Sequence, residues 1–79
     1  MSNTPHELLV EFPKDAEKIH RLKLEDAHFA RLVTEYHAVN RSVHRAETRV
    51  DVMDAATESA LRHKRMILKD QIARLLAAA

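Results

Sequence analysis

The six histidines are the side chains of this 79-residue chain best suited to chemistry. An imidazole can bind a metal, carry a proton or respond to pH. Two histidines on one helix share a metal best at i and i+4. Here the gaps between successive histidines are 14, 8, 9, 7 and 19 residues. His37 and His44 are one heptad apart, roughly 10.5 Å along a helix axis, which is too far to share an ion. No metal site and no cofactor is expected within one chain. A site between chains would have to use His28 or His37. The spacing favours structural or solvated histidines.

Arg41, Arg45 and Arg49 follow one another at i, i+4 and i+8, a spacing that makes a basic ridge on a helix. Arg62, Lys64 and Lys69 could join it from a second helix and meet phosphates. However, Glu47, Asp51 and Glu58 lie close, and no aromatic is placed among the bases for stacking. A solvated face is favoured, and nucleic-acid binding through the ridge is kept as the alternative reading. Ser42 and His44 do not make a dyad, because residues two apart on a helix point to different sides. With no glycine, there is no phosphate-cradling loop. No nucleophile sits beside a base, and no carboxylate pair has a pocket. Neither catalytic residues nor a small-molecule substrate is expected.

Thirteen basic against twelve acidic side chains leave the charge nearly balanced. A dedicated nucleic-acid binder would be strongly basic. Residues 1–30 are net −2 and residues 31–79 net +3, a mild asymmetry that could orient a partner or an antiparallel dimer. The chain has no cysteine, so no disulfide or thiolate site can staple it. No apolar run approaches the roughly 20 residues of a membrane span. The first residues have neither the basic nor the apolar region of a signal peptide. A cytoplasmic protein with no membrane contact is the expectation.

The elements follow from hydrophobic period. Phe29, Leu32, Tyr36, Val39, Val43, Ala46 and Val50 recur in steps of three and four, the seam of a helix packed on another helix. A second seam is Leu61, Arg65, Leu68, Ile72 and Leu75, widened by Met66 and Leu76. Arg65 can lay its methylenes on the apolar surface and send its head to water. Asn40 flanks the first seam. It could set register or face water, and the pattern leaves both open. Thr4 as cap and Pro5 at the first helical position begin a short helix over about 5–12, which Pro13 ends. A long helix over about 14–49 is expected without a break. A turn follows at 50–54, and Asp54 caps a second helix over about 55–76. The fold class is therefore all-α, an antiparallel, coiled-coil-like hairpin in one domain, with a short N-terminal helix.

The two long helices do not match. The first would be roughly 55 Å long and the second roughly 33 Å. Leu75 and Leu76 should reach the level of Phe29, leaving Ile19, Leu22 and Leu24 without a partner on the hairpin. Either the short helix covers them with Leu8, Leu9 and Phe12, or another chain does. An uncovered apolar strip marks an interaction site. The candidate partner-binding residues are Ile19, Leu22, His28, Phe29 and Leu32, with His28 beside the seam. The expected partner is a second copy of the chain or another helical protein.

One run is distinctive: Leu24-Glu25-Asp26-Ala27-His28-Phe29-Ala30-Arg31-Leu32. With His6-Glu7-Leu8 and Glu11-Phe12-Pro13 before it, and Glu35-Tyr36-His37, Val39-Asn40-Arg41, Val43-His44-Arg45, Glu47 and Leu68-Lys69-Asp70 after it, the chain resembles the YdcH family. These are small bacterial proteins of unknown function, and the resemblance implies a long and a shorter helix in a hairpin. It implies no activity. Two features depart from the family's pattern. Val52, Met53 and Asp54 stand where relatives commonly carry Pro and Thr or Ser, and no aromatic follows Ile72.

Overall fold

A computed structural model of the chain describes residues 6–49 and 52–79. Four α-helices follow in order: α1 (Leu8–Glu11), α2 (Ala16–Glu25), α3 (Ala27–Glu47) and α4 (Ala55–Ala78). A 3-10 turn, Pro13–Asp15, joins α1 to α2. The architecture is an all-α hairpin of α3 on α4, with α1 and α2 folded back across one end. The expected cap Thr4, the expected Pro5 and the expected turn residues Val50 and Asp51 lie outside the described residues.

The hairpin is built on the two seams. Phe29, Leu32, Tyr36, Val39, Val43 and Ala46 of α3 are buried, as are Leu68, Ile72 and Leu76 of α4. Leu61 and Leu75 pack partly buried against that core. Met66 does not widen the stripe; it is exposed together with Ile67. Val33 is buried instead, because α1 and α2 cover the side of α3 that carries it.

The unbroken helix expected over 14–49 does not form. Asp26 has an extended backbone (φ −130°, ψ 107°) and separates α2 from α3. A straight helix would be roughly 55 Å long, whereas the largest dimension of the molecule is 38 Å. The break removes the length mismatch. The 21 residues of α3 span roughly 32 Å and the 24 of α4 roughly 36 Å. Burial drives the break. Bending at Asp26 buries Leu8 and Ile19 and packs Phe12 and Leu22 against the core. Each fully buried aliphatic side chain contributes about 1.5–3 kcal/mol. The hydrogen bonds given up are worth about 1 kcal/mol each, and the Asp26 carboxylate replaces two of them. It accepts from the backbone N–H groups of His28 (2.9 Å) and Phe29 (3.2 Å).

The short helix also begins later than expected. Glu7 is extended (φ −58°, ψ 148°), and its carbonyl accepts from the N–H groups of Val10 and Glu11. At the other end Phe12 leaves helical geometry ahead of Pro13, whose ring disfavours a helical predecessor.

The end of α3 is closed without glycine. Thr48 donates its hydroxyl to the carbonyl of His44 at 2.9 Å. Arg49 takes a left-handed backbone (φ 65°), and its N–H donates to the carbonyl of Ala46 at 3.2 Å. This is the inner bond of a helix-terminating turn in which glycine is the usual residue. Asp54 caps α4 by accepting from the N–H of Thr57 at 2.7 Å.

Candidate functional site

The residues expected to dock a partner are mostly inside the folded chain. Phe29, Leu32 and Ile19 are buried, and Leu22 is half-buried against them. Of the five, His28 alone is exposed. Of the two alternatives for Ile19 and Leu22, cover by the short helix or by another chain, the fold takes the first: α1 and α2 bring Leu8, Phe12, Ile19 and Leu22 onto the end of the hairpin. Leu24 does remain outside, at 76% exposure, and Leu9 at 58%.

Between α1, α2 and α3 lies an open cleft of about 400 Å³. Leu8, Ile19 and Val33 form its floor, and Leu9, His20, Lys23 and His37 stand around it. On α2 the lining residues Ala16, Ile19, His20 and Lys23 share one face at helical spacing. Leu24 stands one turn beyond His20 on the same ridge. The α1–α2 corner thus combines a buried apolar floor with exposed leucines at its margin.

Polar contacts tie the N-terminal arm, residues 6–25, to the hairpin. The Tyr36 hydroxyl donates to the carbonyl of His6 at 2.6 Å. Glu7 faces His37 Nδ1 at 3.3 Å. Glu11 lies 2.7 Å from His6 Nδ1 and 3.4 Å from Lys69 Nζ. Lys18 Nζ donates to the carbonyl of Leu76 at 3.2 Å. The hydrogen bond from His6, followed by the charge of Lys69, holds the Glu11 carboxyl below its ordinary value of 4.5, against the effect of burial. Burial raises the Tyr36 hydroxyl above 10.0, and the nearby Glu11 carboxylate pushes the same way. Sequence reasoning did not find these tethers. Their one signal was Tyr36 itself, since a seam tyrosine must find a partner for its hydroxyl.

Polar contacts also cross the hairpin itself. Asn40, 1% exposed, accepts from the Arg65 guanidinium at 3.0 Å. Of the two roles left open for Asn40, the register-setting one fits this burial. Sliding α4 by one turn would separate the pair and leave polar groups buried without each other.

The expected arginine ridge does not keep its spacing. Arg41 and Arg45 are exposed on α3, but Arg49 lies beyond the helix in its left-handed turn. Acids are interleaved nearby. Arg62 meets Glu47 at 3.0 Å and Glu58 at 2.7 Å. Among the described residues, no group of three or more His, Asp or Glu side chains could hold a metal ion. No described helix is long and apolar enough to cross a membrane.

Neither a curated protein nor a solved structure matches the chain. A family model does match, over residues 29–76, from Phe29 near the start of α3 to Leu76 near the end of α4. Its description is "Protein of unknown function (DUF465)". The match takes in the seam, the Asn40–Arg65 pair and the helix-terminating turn, over more than half of the sequence, and the chain belongs to this family.

Proposed function

We propose that this protein works without catalysis, by helix-to-helix contact, and that the α1–α2 corner is its contact surface. The resemblance to YdcH proteins runs through the same hairpin and adds no chemistry to this reading. The observation that carries it is the exposure of Leu9 at the apolar cleft and of Leu24 one turn beyond the cleft's His20. Leucines left in water around a cleft with an apolar floor are the usual mark of a protein-binding surface. His20 and Lys23 give the cleft a polar rim with a basic side chain, the layout of a small contact site with apolar anchors at its centre. The partner is a helix that brings apolar side chains to the cleft, from a second copy of the chain or another protein.

The test is sedimentation equilibrium on the full chain, compared with a double variant carrying Leu9→Glu and Leu24→Glu. Both positions are exposed, so helicity should be unchanged. Association of the parent chain, weakened at least tenfold in the variant, supports the corner. Equal association by the two proteins would remove the corner as the surface.

A further inference from the structure

Asp26 joins two helices at a place where nothing forbids one helix. The run Lys23-Leu24-Glu25-Asp26-Ala27-His28 contains neither glycine nor proline. The hydrogen-bond ladder reaches the joint from both sides. The Asp26 N–H donates to the carbonyl of Leu22 at 2.8 Å, and the Ala30 N–H donates to the carbonyl of Asp26 at 3.0 Å. Only the N–H groups of residues 27–29 drop out of it, and the Asp26 side chain takes two of those. Rotating the backbone of this one residue into the helical region would restore the full ladder. The residues flanking Asp26 therefore allow a straight helix, while the Asp26 cap and burial in the folded chain favour the bend.

We propose that Asp26 is a hinge between two states, and that in the second state α2 and α3 form one helix whose arm, residues 6–25, packs on the hairpin of a second copy of this chain. The arm can do so because its contacts run from arm to hairpin and can be remade between chains. They are the Tyr36–His6, Glu7–His37, Glu11–Lys69 and Lys18–Leu76 contacts, with Leu8 and Ile19 on the apolar end of the hairpin. Two chains related by a twofold axis satisfy both arms at once, which closes the assembly at a dimer. Charge agrees with this pairing. Residues 6–25 are net −1 and residues 27–79 net +3, so each arm meets a hairpin of opposite sign.

The exchange also gives a role to the apolar side chains that are interior in the bent chain. Ile19 and Leu22 of one arm would join the core that holds Phe29 and Leu32 in the other copy, as they join it within one chain. Apolar burial is then equal in the two states. The balance rests on the hinge and on concentration. This goes beyond the corner contact and does not depend on it, because the bridging residues are those the bend conceals.

The test compares two hinge variants. Asp26→Ala removes the capping carboxylate and supplies the best helix former, so it disfavours the bend and favours the straight helix. Asp26→Gly costs little as a cap but weakens a helix interior. The alanine variant should dimerise more tightly by roughly tenfold per hinge, roughly a hundredfold per dimer. Asp26→Asn keeps a capping acceptor and should behave as the parent chain.

The position of the arm is read separately. The chain has no cysteine, so Arg21→Cys, exposed one turn along α2 from Lys18, can be placed in one batch of the alanine variant and Ala77→Cys in another. After mixing, a short bismaleimide should join the two batches covalently, because exchange places the arm of one chain against the α4 end of the other. The same linkage should be much weaker in the glycine variant. An alanine variant that stays monomeric at its highest soluble concentration overturns the hinge. A dimer that forms without cross-linking also overturns it, and leaves the corner contact standing. Cross-linked dimers in a chain also carrying Leu9→Glu and Leu24→Glu would show exchange without the corner.

Discussion

The α3–α4 hairpin and the N-terminal arm bury apolar side chains against the same core but are held in different ways. The hairpin has two seams along its length, a part-buried Asn40–Arg65 contact between them, and capped ends at Thr48 and Asp54. The arm has two short helices. It is held by Leu8 and Ile19, by partial burial of Phe12 and Leu22, and by single polar tethers at His6, Glu7, Glu11 and Lys18. A long repeated seam makes a unit that opens only with global unfolding. A few point contacts make a segment that can detach while the rest stays folded.

The same substitution in the two regions should separate them most clearly. Ile72 is fully buried in the hairpin, and Ile72→Ala should cost about 3–5 kcal/mol of global stability in urea denaturation. Ile19 is almost as buried, but the arm can release, so Ile19→Ala should cost about 2 kcal/mol or less of global stability. Its main effect should appear as faster proteolysis between Pro13 and Glu25. Equal costs in the two regions would break the distinction.

Smaller changes sharpen it. Tyr36→Phe keeps the buried ring and removes only the donor to the His6 carbonyl, a loss of about 1 kcal/mol. That loss should fall on arm docking and leave α3–α4 exchange rates unaltered. Arg49→Gly should stabilise the hairpin by about 1 kcal/mol, since the left-handed backbone there strains any residue with a Cβ. A matching rise in the thermal midpoint, without added protection in α2, would place that strain in the hairpin.

Acid should act on the arm first. The Glu11 carboxyl is held below 4.5 in the folded chain by His6 and Lys69, so its contribution is present above that value. It is lost as pH falls through the lowered value, when the carboxylate protonates. Acidification below about pH 4.5 should therefore loosen α1 and α2 before it melts the hairpin. Glu11→Gln should abolish this early step, read as amide exchange or proteolysis of the arm against pH.

The hairpin was legible because its signals are periodic and local. Phe29 through Ala46 repeat at helical spacing, and Asp54 precedes α4 as a side chain that can accept from the first-turn N–H groups. Asp26 was not legible as a break. Asp26 can cap a helix, but no glycine or proline marks a stop before it, and the bend is decided by burial of Ile19 and Leu8 against residues distant in sequence. Leu24 showed the limit of the pattern: it reads as part of an apolar strip, yet the bend turns it to solvent while burying Ile19. The tethers at Glu7 and Glu11 were invisible for the same reason, since their partners His37 and Lys69 lie 30 and 58 positions away. Asn40 beside one seam and Arg65 inside the other both stand out in the sequence, but only the hairpin's register joins them.

Residue-resolved hydrogen exchange on the intact chain under native conditions tests the central claim most directly. Amides of α2 around Ile19 and Leu22 should exchange through an opening that leaves Val43 and Ile72 protected, giving two free energies with the hairpin the higher. A single common free energy for α2, α3 and α4 would mean that the arm and hairpin open as one body, and would contradict the account.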